Sequence, residues 1–159
     1  MFEALANSAL SQWLSQTLWG FPMAEIFHLV MIGTFYGGIV MLDLRLLGIN
    51  RFISSEILMR HVLRCIWVVF GGAVVSGSLL FVFMPQEYPN NPAFLIKMAL
   101  VLVGGLNALW MHKVLIRDIE TWDRDTMPPV GVRISALLSL CLWSGVLAGG
   151  RLIAYYYGF

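Results

Sequence analysis

Long apolar segments separated by short polar links dominate the chain. Four such segments run over about residues 24–47, 58–84, 94–116 and 132–156. Each is long enough to cross a bilayer, because about 20 helical residues at 1.5 Å rise match the thickness of its apolar core. The pattern therefore predicts four transmembrane helices joined by short connections.

The first 20 residues have a different pattern. Their apolar side chains gather on one helical face, opposite Ser8, Ser11 and Ser15. This predicts an amphipathic helix lying in the membrane interface over residues 1–20, which the segment Trp19 to Pro22 is expected to break. Short links make neighbouring spans antiparallel. The predicted fold is an all-α, transmembrane four-helix up-down bundle with an N-terminal interfacial helix, in a single domain over residues 1–159.

The composition supports a membrane location and excludes several classes. The chain is 59% hydrophobic and only 12% charged, with a mean hydropathy of +0.80, whereas soluble domains carry about 25% charged residues. No basic stripe interleaved with aromatics indicates a nucleic-acid partner. Cys65 and Cys141 fall inside predicted helices and are interpreted as small apolar fillers. Membrane lipid is therefore the partner that the composition predicts.

The basic residues predict the orientation. Lys97 and Arg151 lie toward one face of the membrane, and the other eight flank the two links on the opposite face. Cytoplasmic loops carry the excess of Lys and Arg. We therefore expect both termini outside the cytoplasm, which is the periplasmic side if the membrane is a bacterial inner membrane. The eight are Arg45, Arg51, Arg60, Arg64, Lys113, Arg117, Arg124 and Arg133.

Two histidines suggest a haem site. His61 and His112 are predicted at the inner ends of the second and third spans, which we expect to be antiparallel neighbours. One imidazole from each of two facing helices can hold haem b. This predicts a small b-type cytochrome-like protein that transfers electrons with quinone or a larger membrane complex. Two glycines on the histidine faces and two nearby cations complete the predicted site: Gly72, Gly105, Arg64 and Lys113.

The same features have a simpler interpretation. Both histidines lie among interfacial arginines and lysines, and small residues pack membrane helices with or without a cofactor. A cofactor-free accessory subunit, packing against copies of itself or within a larger membrane complex, is therefore the alternative. No pair of catalytic carboxylates and no nucleophile with a base is present, so the chain is not expected to be an enzyme on its own.

A second polar group is predicted near the outer face. His28 lies within the first apolar run, at the depth of Glu25, Lys97 and Arg151, while Asn107 lies deeper in the third span. His28 is either hydrogen-bonded to a neighbouring helix or a ligand or proton carrier. The outer group is expected to form a structural ion-pair network, with binding of an anionic group or a quinone head as the alternative.

Copper is the alternative metal. His28 would be its central ligand, with Met31 three residues later on the same helical face. Thioether sulfur suits Cu(I) and imidazole suits copper in general. A copper-binding or copper-transport protein is thus a third hypothesis, although methionines in so apolar a chain more often serve packing.

The order of these features resembles a known pattern. The segments HLVMIGTFYGGIVMLDLRLLG, SGSLLF and NPAFLIKMALVLVGGLNALWMH resemble an uncharacterised family of four-span bacterial inner-membrane proteins over Ala24 to Gly150. Its most specific pieces are the stretch from Asp43 to Gly48, Lys97, and the stretch from Asn107 to His112. The resemblance implies a four-helix bundle with His28, Lys97 and His112 as notable positions. A more distant similarity to the membrane part of the copper-resistance D family implies copper handling.

Overall fold

Four long helices form the fold of the computed structural model, which describes residues 18–50, 52–83, 85, 88–115, 119, 122 and 126–156. The helices are α1 (Gly20–Leu46), α2 (Ser55–Phe83), α3 (Pro92–Trp110) and α4 (Val130–Tyr156). A 3₁₀ turn (Tyr88–Asn90) precedes α3, and a π-helical turn (Met111–Leu115) extends it. The predicted all-α four-helix fold is confirmed. Each helix begins two to four residues before the predicted apolar range.

The start of α1 differs from the prediction. Trp19 is the N-cap, and Gly20, Phe21 and Pro22 already form the first turn. The predicted start of the first span at about residue 24 is therefore four residues too late, and the expected break of the preceding helix by the segment Trp19 to Pro22 stays a prediction. The physical reason for the earlier start is that a proline in the first turn lacks an N–H that would have no intrahelical partner anyway. Residues 1–17 of the predicted interfacial helix lie outside the described part of the chain.

A buried asparagine fixes the start of α3. The Asn91 side chain accepts hydrogen bonds from the backbone N–H groups of Ala93, at 2.9 Å, and Phe94, at 3.3 Å. Its amide group also donates to the carbonyl of Ile153 in α4, at 3.3 Å. Asn91 is completely buried. One side chain thus caps α3 and ties its first turn to the last turns of α4.

The helices pack as two antiparallel pairs joined through α4. α1 packs against α2, α3 against α4, and α1 also against α4. In the candidate membrane-spanning windows, 33% of the α4 residues are buried, compared with 11% in α2 and in α3. α4 is therefore the most enclosed helix. We call the end at which α1 begins and α4 ends the upper end of the bundle, and the opposite end the lower end.

The predicted close packing of the second and third spans is wrong for the described residues. α2 and α3 meet near the upper end through Phe81 and Phe94, whose ring centroids lie 5.9 Å apart, and they share no extended packed seam. The reason lies in α4, because Trp143 projects from it into the middle of the bundle. This indole contacts Phe35 of α1 and Phe70 of α2, with centroid distances of 4.7 and 6.3 Å.

These three rings, Phe35, Phe70 and Trp143, form an aromatic plug at mid-height. Phe35 and Trp143 are buried. A Cβ atom at Gly104 of α3 would lie only 3.2 Å from the indole of Trp143, so the glycine allows α3 to approach the plug. The plug separates the polar side chains of the upper half from those of the lower half.

The outer surface of the bundle is apolar. Trp67, Val68 and Leu102 are among many large hydrophobic side chains that are more than half exposed. Four described helices are long and apolar enough to cross a membrane. Lipid tails can cover such side chains, whereas a soluble monomer rarely exposes so large an apolar surface. The chain is a multi-pass membrane protein.

Candidate functional site in the upper half of the bundle

His28 is anchored to the neighbouring helix α2. Its Nδ1 lies 2.9 Å from Oγ of Ser76, and that hydroxyl lies 2.7 Å from the carbonyl oxygen of Gly72. Because the hydroxyl has one proton and donates it to Gly72, Nδ1–H of the imidazole is the donor to Ser76. The hydrogen bond to a neighbouring helix, one of the two alternatives for His28, is therefore present, and a role as ligand or proton carrier stays a prediction.

Two glycines of α2 make room for two side chains of α1. A Cβ atom at Gly77 would lie 3.2 Å from Cε1 of His28, and one at Gly72 would lie 2.8 Å from the sulfur of Met31. A larger residue at either glycine would require the side chain of Met31 or His28 to shift. Gly72 therefore accommodates a methionine of the same chain, which accounts for its small size without haem. Copper binding by His28 and Met31 stays a prediction.

Lys97 crosses from α3 to α4 over two adjacent glycines. A Cβ atom at Gly149 would lie 3.3 Å from Cβ of Lys97, and one at Gly150 would lie 3.6 Å from its Nζ. The half-buried side chain is thus laid along α4 with its ammonium group beside the helix. Within the described part of the chain, this ammonium group forms no ion pair and no hydrogen bond.

The predicted ion-pair network of the outer group is wrong for the described residues. Arg151 lies over the ring of Tyr155, with its guanidinium carbon 5.5 Å from the centroid, and Glu25 is exposed. His28 of α1 and Lys97 of α3 lie in the same half of the bundle, and no hydrogen bond or ion pair between them is present among the described residues. We call these two residues the upper polar pair.

An apolar groove lies next to the upper polar pair. It has a volume of about 440 Å³ and opens on the seam between α3 and α4. Gly149 belongs both to this groove and to the surface under Lys97. A polar head at Lys97 would therefore have an apolar channel beside it. The lining residues are Pro92, Ala93, Ile96, Gly149, Leu152 and Tyr155.

Asn107, the other polar residue in the apolar run of α3, has a different environment. Its amide group donates to the carbonyl of Ser135 at 3.0 Å, and its carbonyl oxygen accepts from the hydroxyl of Ser135 at 2.9 Å. Both hydrogen bonds cross to α4. The oxygen and one amide proton of Asn107 are therefore both used in hydrogen bonds to Ser135. Asn107 is a structural clamp between the two helices.

The predicted haem residues do not converge within one chain. His61 is exposed, and at about 100° per residue it lies about 180° round α2 from Phe70, which faces the aromatic plug. His112 is also exposed, in the π-helical turn after α3. Arg64 and Lys113 are exposed as well, and a Cβ atom at Gly105 would meet nothing within 4 Å. Haem ligation by this pair stays a prediction.

The described residues contain no group of three or more His, Cys, Asp or Glu side chains arranged to hold a metal ion. Ser76 and the glycine pair 149–150 were not among the predicted site residues. The available signal was weak: an uninterrupted Gly-Gly pair in α4 at the depth of the one lysine in α3. Nothing in the sequence indicated that the two would meet.

Taken together, the apolar helices and their interior polar groups define an α-helical multi-pass membrane protein. Within that class, the chain belongs to a family of unknown function, DUF6644, whose model matches residues 2–156. The resemblance to an uncharacterised family is confirmed. No curated protein and no solved structure matches the chain, and the similarity to the copper-resistance D family stays a prediction.

Proposed function

We propose that this protein binds the oxygen-bearing head of a lipid-soluble molecule, with the isoprenoid quinones as the ligand class, at the upper polar pair. The observation that carries the proposal is the environment of Lys97. An ammonium group among membrane helices is costly unless it meets a counter-charge, water or hydrogen-bond acceptors. No acceptor from the described chain fills that role at Lys97, so a ligand oxygen is its natural partner.

The chemistry of a quinone head suits this arrangement. Its two carbonyl oxygens accept hydrogen bonds, and the ammonium group of Lys97 has three N–H donors. His28, hydrogen-bonded to Ser76 of α2, is the other polar side chain of this half of the bundle and is the proposed second contact of the head. The head is neutral and flat and carries an apolar tail, and the adjacent groove between α3 and α4 is lined by apolar residues. Head and tail therefore each have a matching surface.

A titration with a short-tailed ubiquinone tests the proposal. The full chain in lipid nanodiscs is titrated while tryptophan fluorescence is recorded, since quinones quench nearby indoles and Trp143 lies in the adjacent plug. We expect saturable binding that weakens at least about tenfold in Lys97→Gln, because a hydrogen bond from a charged donor contributes roughly 1.5–3 kcal/mol. Lys113→Gln is the matched control, since Lys113 is exposed at the lower end.

Two histidine variants and a second ligand test the proposal further. His28→Asn is expected to weaken binding, whereas His61→Asn, at an exposed histidine, is expected to leave it unchanged. Equal affinity in the Lys97→Gln and Lys113→Gln variants would refute the proposal. If oleate binds in a Lys97-dependent manner and the quinone does not, the site recognises carboxylates and the quinone assignment is wrong.

A further inference from the structure

Another ionisable side chain lies inside the membrane-spanning part of the bundle, at its lower end. Asp43 of α1 is only 3% exposed. The hydroxyl of Ser139 in α4 donates a hydrogen bond to its carboxyl group. The other oxygen, Oδ2, is buried and has no hydrogen-bond partner among the described residues. From the sequence, Asp43 is expected only to pair with arginines on the same side of the membrane.

The described charges near this end do not pair with Asp43. Arg45, two residues along α1 and equally buried, donates from Nε to the carbonyl of Ile53 in the α1–α2 link, and no hydrogen bond or ion pair joins it to Asp43. On α2, Arg60 pairs with Glu56 at 2.9 Å. The remaining described titratable side chains at the lower ends of α2, α3 and α4 are exposed: His61, Arg64, His112, Lys113 and Arg133.

The polar groups beside Ser139 are also occupied. Ser135, one turn below Ser139 on α4, exchanges two hydrogen bonds with Asn107 of α3. None of these groups donates a hydrogen bond to Oδ2 of Asp43. A carboxylate with one hydrogen bond and no direct ion pair at this depth is unfavourable. Binding a proton or a metal cation would remove that unfavourable charge.

We infer that Asp43 binds an exchangeable monovalent cation, either a proton or Na⁺, in the lower half of the bundle. The single negative charge of the carboxylate matches the charge of a monovalent cation. The Oδ2 atom, which has no hydrogen-bond partner among the described residues, provides the binding position. Ser139 fixes the carboxyl group and adds a hydroxyl oxygen beside it. The aromatic plug lies between this site and the upper polar pair, so the inference stands independently of quinone binding.

Labelling with dicyclohexylcarbodiimide tests the inference on the full chain in lipid nanodiscs. This apolar reagent reacts with protonated carboxyl groups inside membranes, and mass spectrometry of the peptide locates the adduct. We expect an adduct on the protonated carboxyl group of Asp43. Its yield should fall at least tenfold when the carboxyl group loses its proton or binds Na⁺. Glu56, paired with Arg60 at the surface, is the internal control and should stay unlabelled.

Two arms distinguish the cations. A loss of labelling in NaCl, compared with the same concentration of choline chloride, identifies Na⁺ as the ligand. A loss only on raising the pH identifies the proton. No adduct on Asp43, or an adduct that neither Na⁺ nor pH changes, overturns the inference. Asp43→Asn, which keeps an oxygen to accept from Ser139, confirms the assignment of the labelled peptide, while the wild-type measurement needs no variant.

Discussion

The two strongly polar residues inside α3 meet α4 in opposite ways. Asn107 exchanges two hydrogen bonds with Ser135. Lys97 lies along Gly149 and Gly150 without a hydrogen bond or ion pair in the described part of the chain. The residues are ten positions apart on the same helix and contact the same neighbour. The protein itself supplies hydrogen-bond partners for Asn107. None of the described residues supplies one for Lys97.

This difference separates structure from function. A polar group that the fold satisfies stabilises the helix pair, whereas one that the fold leaves unsatisfied lowers stability until a ligand arrives. The glycines under Lys97 fit the second case, because they make room for the side chain and offer it no side-chain acceptor. We therefore expect changes at Asn107 to affect mainly stability, and changes at Lys97 to affect mainly binding.

The largest effect is expected from Gly149→Leu. The Cβ atom alone would lie 3.3 Å from Cβ of Lys97 and 3.7 Å from its Cα, so α3 and α4 must separate. Overpacking of this kind costs about 1–3 kcal/mol, and quinone binding should be lost as Lys97 moves. Unfolding in increasing SDS measures the stability. Gly71→Leu is the control, since Gly71 has open space around it; equal losses in the two variants would contradict the account.

A smaller effect is expected at the Asn107–Ser135 pair. Asn107→Ala and Ser135→Ala should each lower the free energy of unfolding, and the double variant should lose less than their sum. Interhelical hydrogen bonds in membrane proteins show coupling energies averaging about 0.6 kcal/mol, with a maximum near 1.7. A double-mutant cycle measured by SDS unfolding gives the coupling. A coupling of zero would mean that the side-chain hydrogen bond from Ser135 to Asn107 contributes nothing to stability.

Lys97→Met should produce a still smaller change in stability. Methionine keeps much of the apolar stem that lies on Gly149 and removes a charge that the described chain leaves unpaired. We expect the free energy of unfolding to stay within about 0.5 kcal/mol of the wild type or to rise, while quinone affinity falls. A loss of stability comparable to that of Asn107→Ala would show that Lys97 has a structural partner and would remove the contrast.

The smallest effect concerns His61 and His112. Because the two exposed imidazoles do not converge within one chain, His61→Ala and His112→Ala should leave the reduced-minus-oxidised visible spectrum and the extracted haem content unchanged. The protein should be produced with adequate haem supply. A sharp α band in the wild type that disappears in both variants would establish the bis-histidine site and show that it forms in a different arrangement or between chains.

The sequence was sufficient to predict the fold class but not the helix neighbours. The four apolar runs predicted the four helices, and their early starts arise from polar or proline caps such as Asn91-Pro92, which hydropathy does not count as helix. Chain order suggested that α2 packs against α3, yet Trp143 of α4 fills the middle of the bundle. This placement depends on side-chain volumes in three helices, which no local pattern reveals.

The candidate site was predicted only in part. His28, Lys97 and Asn107 were identified because polar residues are conspicuous in apolar runs. Their partners, Ser76, Gly150 and Ser135, lie 48, 53 and 28 positions away along the chain, beyond any local spacing rule. Without those partners, Lys97 and Asn107 look equivalent. The buried oxygen of Asp43 was missed for the same reason, since a carboxylate at the end of a span ordinarily faces interfacial arginines.

The most direct test uses the fact that the chain has two lysines, Lys97 and Lys113. Lysine labelled with ¹⁵N at Nζ gives one resonance for each, which single substitutions assign. On titration with short-tailed ubiquinone in nanodiscs, we predict that the Lys97 resonance shifts saturably while that of Lys113 stays fixed. A titration in which Lys97 does not shift, or in which both resonances shift alike, would contradict the account.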